Sequence, residues 1–259
     1  MRSSKYYLSR VYTYYEVVGA VAARNVKLRY KNSLLGFVWS LLNPLLYLAI
    51  FIVVFSNAFN MENYPLFILS GLLFYTFFSA TSVQVLGSVL ESGGILKSLG
   101  VPPIVFPISF LISSLVNLLL SLIPFFILML FFGFVPTFTS LLIIPGIILL
   151  ALFTLGFSLI LCSLHVFFRD IGMFYNSILP AIFYLTPIAY PIEKVPEKFQ
   201  FFLKLNPLYH FVMYFRQVIY YDKIPDIQII ITTVALAAFT IALGIYVFNS
   251  LKKGFISNL

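Results

Sequence analysis

From Leu34 to Phe168 the chain carries three charged side chains, Glu62, Glu91 and Lys97. A water-soluble fold needs charge on its surface, so a stretch this long with so little of it belongs in lipid. Short polar or Gly/Pro-bearing gaps divide it into apolar runs, and about 20 residues at 1.5 Å each carry a helix across a bilayer core. A mean hydropathy of +1.04 and a hydrophobic content of 61% extend that character to the whole chain. The expected fold class is an all-α polytopic membrane protein, because backbone polar groups in lipid must be satisfied within their own segment.

Six spans are expected, at roughly 34–55, 65–90, 104–132, 141–166, 174–190 and 227–251. Residues 1–33 form a cytoplasmic interface segment and 34–259 one transmembrane domain, with an external re-entrant and gate region at about 178–226. No cleavable signal is expected, since Arg2, Lys5, Arg10, Arg24, Lys27, Arg29 and Lys31 all precede the first apolar run. Those residues, with Lys97, Arg169, Lys252 and Lys253, put both termini in the cytoplasm by the positive-inside bias. The stretch 191–226 resists that assignment, because it holds Lys194, Lys198, Lys204, Arg216 and Lys223 yet should be external. The apolar run 227–251 is clear enough to keep the count at six. The net charge of +8 sits beside the spans, where topology and anionic headgroups account for it, so no nucleic-acid partner is expected.

Tyr7, Val11, Tyr14, Val18 and Val21 recur at helical spacing, while Arg24, Lys27 and Lys31 occupy another face. This predicts an amphipathic helix in the membrane interface, read either as a topology anchor or as a contact for a substrate headgroup. Pro180, Pro187 and Pro191 interrupt the fifth span and make it a re-entrant candidate. After it, 196–205 and 207–221 each open on a proline and read as interfacial helices at the outer mouth. Asn43-Pro44 predicts a bend in the first span, and Ala238 with Ala242 a small-residue face for close helix contact. The 91–103 loop has a Gly-Gly break, a helix-capable core and a Pro-Pro stop, as a docking helix for a soluble motor would.

The chemistry that is missing narrows the function. No Gly-x4-Gly-Lys-Ser/Thr sequence occurs, so the chain has no P-loop. His165 and His210 have no second Cys or acid at ligand spacing, and Cys162 is the single cysteine, so no metal site and no intrachain disulfide are expected. The spans lack the paired carboxylates of an intramembrane hydrolase and the buried acids of an ion-coupled carrier. Energy for uphill movement would therefore enter through a partner. Tyr47, Phe51, Phe55 and Phe59 fall every four residues, and Phe153 and Phe157 repeat that step. Two readings stand: an aromatic conduit against which sugar rings slide, or ordinary helix packing and interfacial belts.

The run Leu28-Arg29-Tyr30-Lys31-Asn32-Ser33-Leu34-Leu35-Gly36-Phe37-Val38-Trp39-Ser40-Leu41-Leu42-Asn43-Pro44-Leu45 resembles the entry into the first span of a known family. That family is the membrane subunit of bacterial polysaccharide-exporting ABC transporters, in the ABC-2 permease group that includes O-antigen and teichoic-acid exporters. Phe168-Arg169-Asp170-Ile171 before the proline-broken fifth span is similar to a second hallmark, and Asn206-Pro207-Leu208 with Arg216 to a third. The resemblance implies a homodimeric channel over two copies of a separate P-loop ATPase. ATP and Mg would be held in that partner, and no cofactor or catalytic residue is implied for this chain.

It further implies a coupling helix in the 91–103 loop, with Glu91, Ile95, Leu96, Lys97, Leu99 and Pro102 at the motor contact. Tyr190, Phe201, Asn206, Pro207 and Arg216 would belong to the external gate. Arg24, Lys27 and Arg29 would meet the diphosphate of a polyprenyl-linked glycan. Gly93-Gly94 and Val101-Pro102-Pro103 depart from the more basic stretch common in the family, which leaves the docking register open. The competing readings are an integral membrane enzyme, or an ion-coupled flippase, acting on lipid-linked sugars.

Overall fold

The computed structural model describes residues 2–31, 38–59, 61, 63–131 and 136–259, and among these every regular element is a helix. In chain order these are α1 (Arg2–Tyr30), α2 (Val38–Phe59), α3 (Tyr64–Glu91), α4 (Gly93–Leu99), α5 (Val105–Phe131), α6 (Ile143–Phe167), α7 (Asp170–Leu185), α8 (Glu197–Leu205), α9 (Pro207–Ile219), α10 (Ile227–Leu251) and α11 (Phe255–Asn258). A 3-10 turn, Phe138–Leu142, runs directly into α6.

Among the described residues, four segments are long and apolar enough to cross a membrane: Tyr64–Glu91, Val105–Phe131, Phe138–Phe167 and Ile227–Asn258. They correspond to the second, third, fourth and sixth expected spans. The first expected span is the 22-residue α2, whose apolar stretch is Leu45–Phe55. The fifth is α7, which has 16 residues and at 1.5 Å per residue falls short of a hydrocarbon core of about 30 Å.

The prolines of the fifth span behave unequally. Pro180 lies inside α7 without ending it, whereas the helix stops at Leu185 and Thr186 turns extended (φ −102°, ψ 122°) before Pro187. Proline's ring excludes the helical conformation from the residue ahead of it, which fixes the stop at this position.

Helix α3 is the centre of the bundle. In its most apolar window 78% of residues are buried within the protein, against 17% for α10, though both are apolar. α5 and α6 flank α3, and α10 lies along α6. The hydroxyls on α3 and α6 bond back to their own helix, as in Ser70 to the Phe67 carbonyl (2.8 Å) and Thr154 to that of Leu150 (2.7 Å). Apart from Thr81, whose buried hydroxyl has no partner among the described residues, they therefore sit in the apolar interior without orphaned donors.

The α6–α10 crossing brings backbone onto backbone. A Cβ on Gly156 would overlap the Thr240 carbonyl and the Ile241 amide, and one on Gly244 would overlap Gly156 itself. The small-residue face expected at Ala238 and Ala242 is exposed instead. The contact is made on the adjoining face of α10, by Thr240, Ile241 and Gly244. Asn43 and Pro44, the expected bend, lie outside the residues whose side chains are described.

Candidate functional site

Two regions at opposite ends of the bundle carry most of the residues singled out in the sequence. The first is the non-helical segment that follows α7. Thr186, Pro187, Ile188, Ala189 and Pro191 are buried, although an irregular backbone exposes carbonyls that a helix would satisfy.

Side chains from two other helices, α3 and α9 with its capping residue, and one from the segment itself take up those carbonyls. Asn206 Nδ2 donates to the Leu185 carbonyl (3.2 Å) and to Thr186 Oγ1 (2.8 Å). Arg216 Nη2 donates to the carbonyls of Pro187 (3.0 Å) and Ile188 (3.1 Å). The Tyr64 hydroxyl donates to Ala189 (2.7 Å), and Tyr190 folds back to Tyr184 (2.7 Å).

Arg216 is 2% exposed and its guanidinium lies over the Phe67 ring, 3.6 Å from the centroid. Burial pushes its pKa down to about 10, so it stays charged at neutral pH. No carboxylate pairs with it among the described residues, where the one ion pair is the exposed Lys223–Asp226. Carbonyl dipoles beyond the C-terminus of α7, together with an aromatic face, hold the cation instead.

Of the expected gate residues, Tyr190, Asn206 and Arg216 therefore converge on one segment. Pro207 opens α9, where Asn206 also caps the helix by accepting from the Leu208 amide (3.0 Å). Phe201 stands apart, 63% exposed on α8 beside Phe202. The two helices after the break differ in setting. α8 keeps Phe199, Phe201, Phe202 and Leu205 exposed, as an interfacial helix would. α9 is buried on nearly every side against α3, α6 and α10, so it is a core element and not an interfacial one.

Sequence reasoning missed Tyr64 and Phe67, which have no signal of their own. Arg216 was singled out in the sequence as a gate residue, but its burial was not, because the helix that carries it was expected at the interface.

The second region is the turn between α3 and α5. The short helix α4 forms as expected and ends at Gly100, whose φ of +60° suits glycine. Leu96 is buried and Ile95 partly so, while Glu91, Gly94, Lys97 and Ser98 are exposed. Pro102 is half-buried, and the side chain of Leu99 lies outside those described. The expected motor-contact residues thus divide into a buried face (Ile95, Leu96) and an exposed one (Glu91, Lys97).

Helix α1 lies along α5, with Ser109 Oγ donating to the Val18 carbonyl (3.2 Å) and Val21 packed into the core at this end. Part of the face expected to meet lipid is therefore covered by protein. The side chains of Tyr7 and Val11 lie outside those described. Arg24, Lys27 and Arg29 are all exposed. At about 100° per residue Arg24 and Lys27 share a face, and Arg29 points some 140° away from Arg24.

The aromatics singled out in the sequence have different settings. Phe51 stacks on Phe183 (5.9 Å) and lies 5.9 Å from Phe55. Phe153 is buried between Phe78 and Phe211 (5.9 and 4.9 Å), and Phe157 lies 6.0 Å from Tyr175. Tyr47 is exposed, and Phe59 lies outside the described side chains.

Comparison with known proteins identifies the family. The family profile described as ABC-2 type transporter matches residues 16–220. The chain is 31% identical to an O-antigen export system permease protein RfbA of Klebsiella pneumoniae, covering 93% of this chain and 94% of that one. It is 27% identical to the RfbA of Myxococcus xanthus, over 96% and 97% of the two chains. It is 22% identical to the polysialic acid transport protein KpsM of Escherichia coli, over 78% and 80%. With that profile spanning well over half of its length, the chain belongs to the ABC-2 type transporter family.

Proposed function

We propose that this chain is the permease subunit of a polysaccharide exporter, moving a polyprenyl-diphosphate-linked glycan such as O antigen across the inner membrane. The observation that carries the reading is the similarity to O-antigen export permeases along almost the whole chain. The absence of a P-loop from the sequence supports an energy source in a separate ATPase subunit.

In this reading two copies form the channel, each with six spans and both termini in the cytoplasm. α7 and the segment after it make the short fifth span, and α8 and α9 make the external gate region. The exposed Glu91 and Lys97 of the α3–α5 turn meet the ATPase, and Arg24 and Lys27 on one face of α1 meet the lipid diphosphate. The geometry of α1 favours that pair over Arg29.

The test is co-expression with the candidate ATPase, scoring surface polysaccharide. Export is expected to need both proteins and to fall in Lys97→Glu while the complex still assembles. Export that persists without any ATPase would refute the reading and favour an ion-coupled flippase.

A further inference from the structure

The segment Phe255–Leu259 folds back onto the short helix α4. The Leu259 side chain packs against Gly93, with Cδ2 and Cβ at 3.4 and 3.6 Å from the position a Gly93 Cβ would take. Phe255 is fully buried at the centre of a second hydrophobic core that also contains Leu96 of α4, Val89 of α3, Val166 of α6 and Phe248 of α10. Its ring lies 5.2 Å from that of Phe248 and 6.1 Å from that of Phe167. One residue short of the Gly93 contact, the Asn258 carbonyl accepts from Arg169 Nη2 (3.3 Å) at the corner between α6 and α7.

Five residues thus touch both α4 and the α6–α7 corner. α4 is too short to fix itself. It is 7 residues long, far below the length at which a helix holds itself in water, and its last residue is followed by a glycine with positive φ. Its orientation is therefore set by what its buried face rests on, and that surface includes Leu259 and Phe255.

We propose that Phe255–Leu259 is a brace that positions α4 and ties it to the α6–α7 corner, so that a push on α4 reaches α7 as the motion of one body. The inference rests on the reading above, in which α4 receives the stroke of the ATPase. Leu259 and Phe255 are positioning residues, since they act through α4 and touch no substrate.

The geometry supplies its own test. The Cβ separation of 3.6 Å at Gly93 and Leu259 falls within the range a disulfide needs, about 3.5–4.5 Å. The one native cysteine, Cys162, is buried. The double variant Gly93→Cys with Leu259→Cys would be purified with its ATPase and reconstituted in proteoliposomes. Glycan transported per ATP hydrolysed would be read before and after oxidation.

The brace predicts that the oxidised complex keeps the coupling ratio of the reduced one, because these residues do not part during the cycle. It also predicts that Leu259→Asp lowers that ratio severalfold while ATP hydrolysis and ATPase binding persist, and that Leu259→Met restores it. Transport blocked by the disulfide and recovered on reduction would overturn the proposal, and so would an unchanged ratio in Leu259→Asp. Loss of all ATP-dependent transport in the wild-type complex would instead sink the permease reading itself, which separates the two failures.

Discussion

Arg216→Met removes a guanidinium whose Nη2 donates to the Pro187 and Ile188 carbonyls. Both oxygens would be left in a buried segment without that donor, at about 1–3 kcal/mol each. Against this, the charge is costly to hold where it is. Its pKa falls from 12.5 to about 10, and at 1.36 kcal/mol per pH unit removing it relieves roughly 3 kcal/mol. Loss of the cation–π contact with Phe67 adds about 1 kcal/mol. Midrange values leave Arg216→Met destabilised by about 2 kcal/mol.

Arg216→Lys should fare worse, although it keeps the charge. The ammonium is more strongly hydrated, so burial costs it at least as much, and its stem ends one bond short of the two carbonyls. The expected loss is about 3–4 kcal/mol. The denaturant midpoint of the detergent-purified protein would give the order. Hydrogen exchange at the Ile188 amide, which donates to the Thr186 carbonyl at 2.7 Å, would locate the opening. A lysine variant as stable as wild type, or more stable than the methionine variant, would refute this account of how the cation is held.

Two further outcomes follow from packing and from charge. Gly156→Ala places a methyl against the α10 backbone, which has no rotamer to yield, so a loss of about 1–3 kcal/mol or more is expected in the same denaturation assay. Ala238→Leu, on the exposed face of α10, should stay within about 0.5 kcal/mol. At the end of the bundle that holds the break, the Thr137 and Thr139 hydroxyls donate to Asp222 and keep its carboxyl below the usual range. A depressed folded pKa means that this tie is present above the unfolded value, about 3.9, and is lost as pH falls through the folded one. Proteolysis within residues 136–142 should therefore rise in acid for the wild type, and in Asp222→Asn it should not change with pH over that range.

Much of the fold was legible because the signals are local. Charge-poor runs mark the embedded helices. A proline fixes the residue before it whatever surrounds the chain, so the stop at Thr186-Pro187 and the starts of α8 and α9 could be read one residue at a time. Pro180 shows the limit of that rule, since a proline inside a helix costs one hydrogen bond that the rest of α7 can absorb. Within the candidate site, Asn206 and Arg216 stood out in the sequence, but the carbonyls they serve did not. Tyr64, which serves the next carbonyl, lies 125 positions from it.

The sequence by itself determined that this chain is a helical membrane protein whose sequence has no P-loop motif, and where its helices break. Only the tertiary structure decided which helices are central and which small residues meet. It also decided which aromatics pack, and that α9 is buried with its arginine held by backbone carbonyls. The physical reason is that lipid and helix interior are equally apolar. Hydropathy reports that a residue avoids water but not whether lipid or protein covers it, so α3 and α10 read alike and end up on opposite terms with the solvent around them.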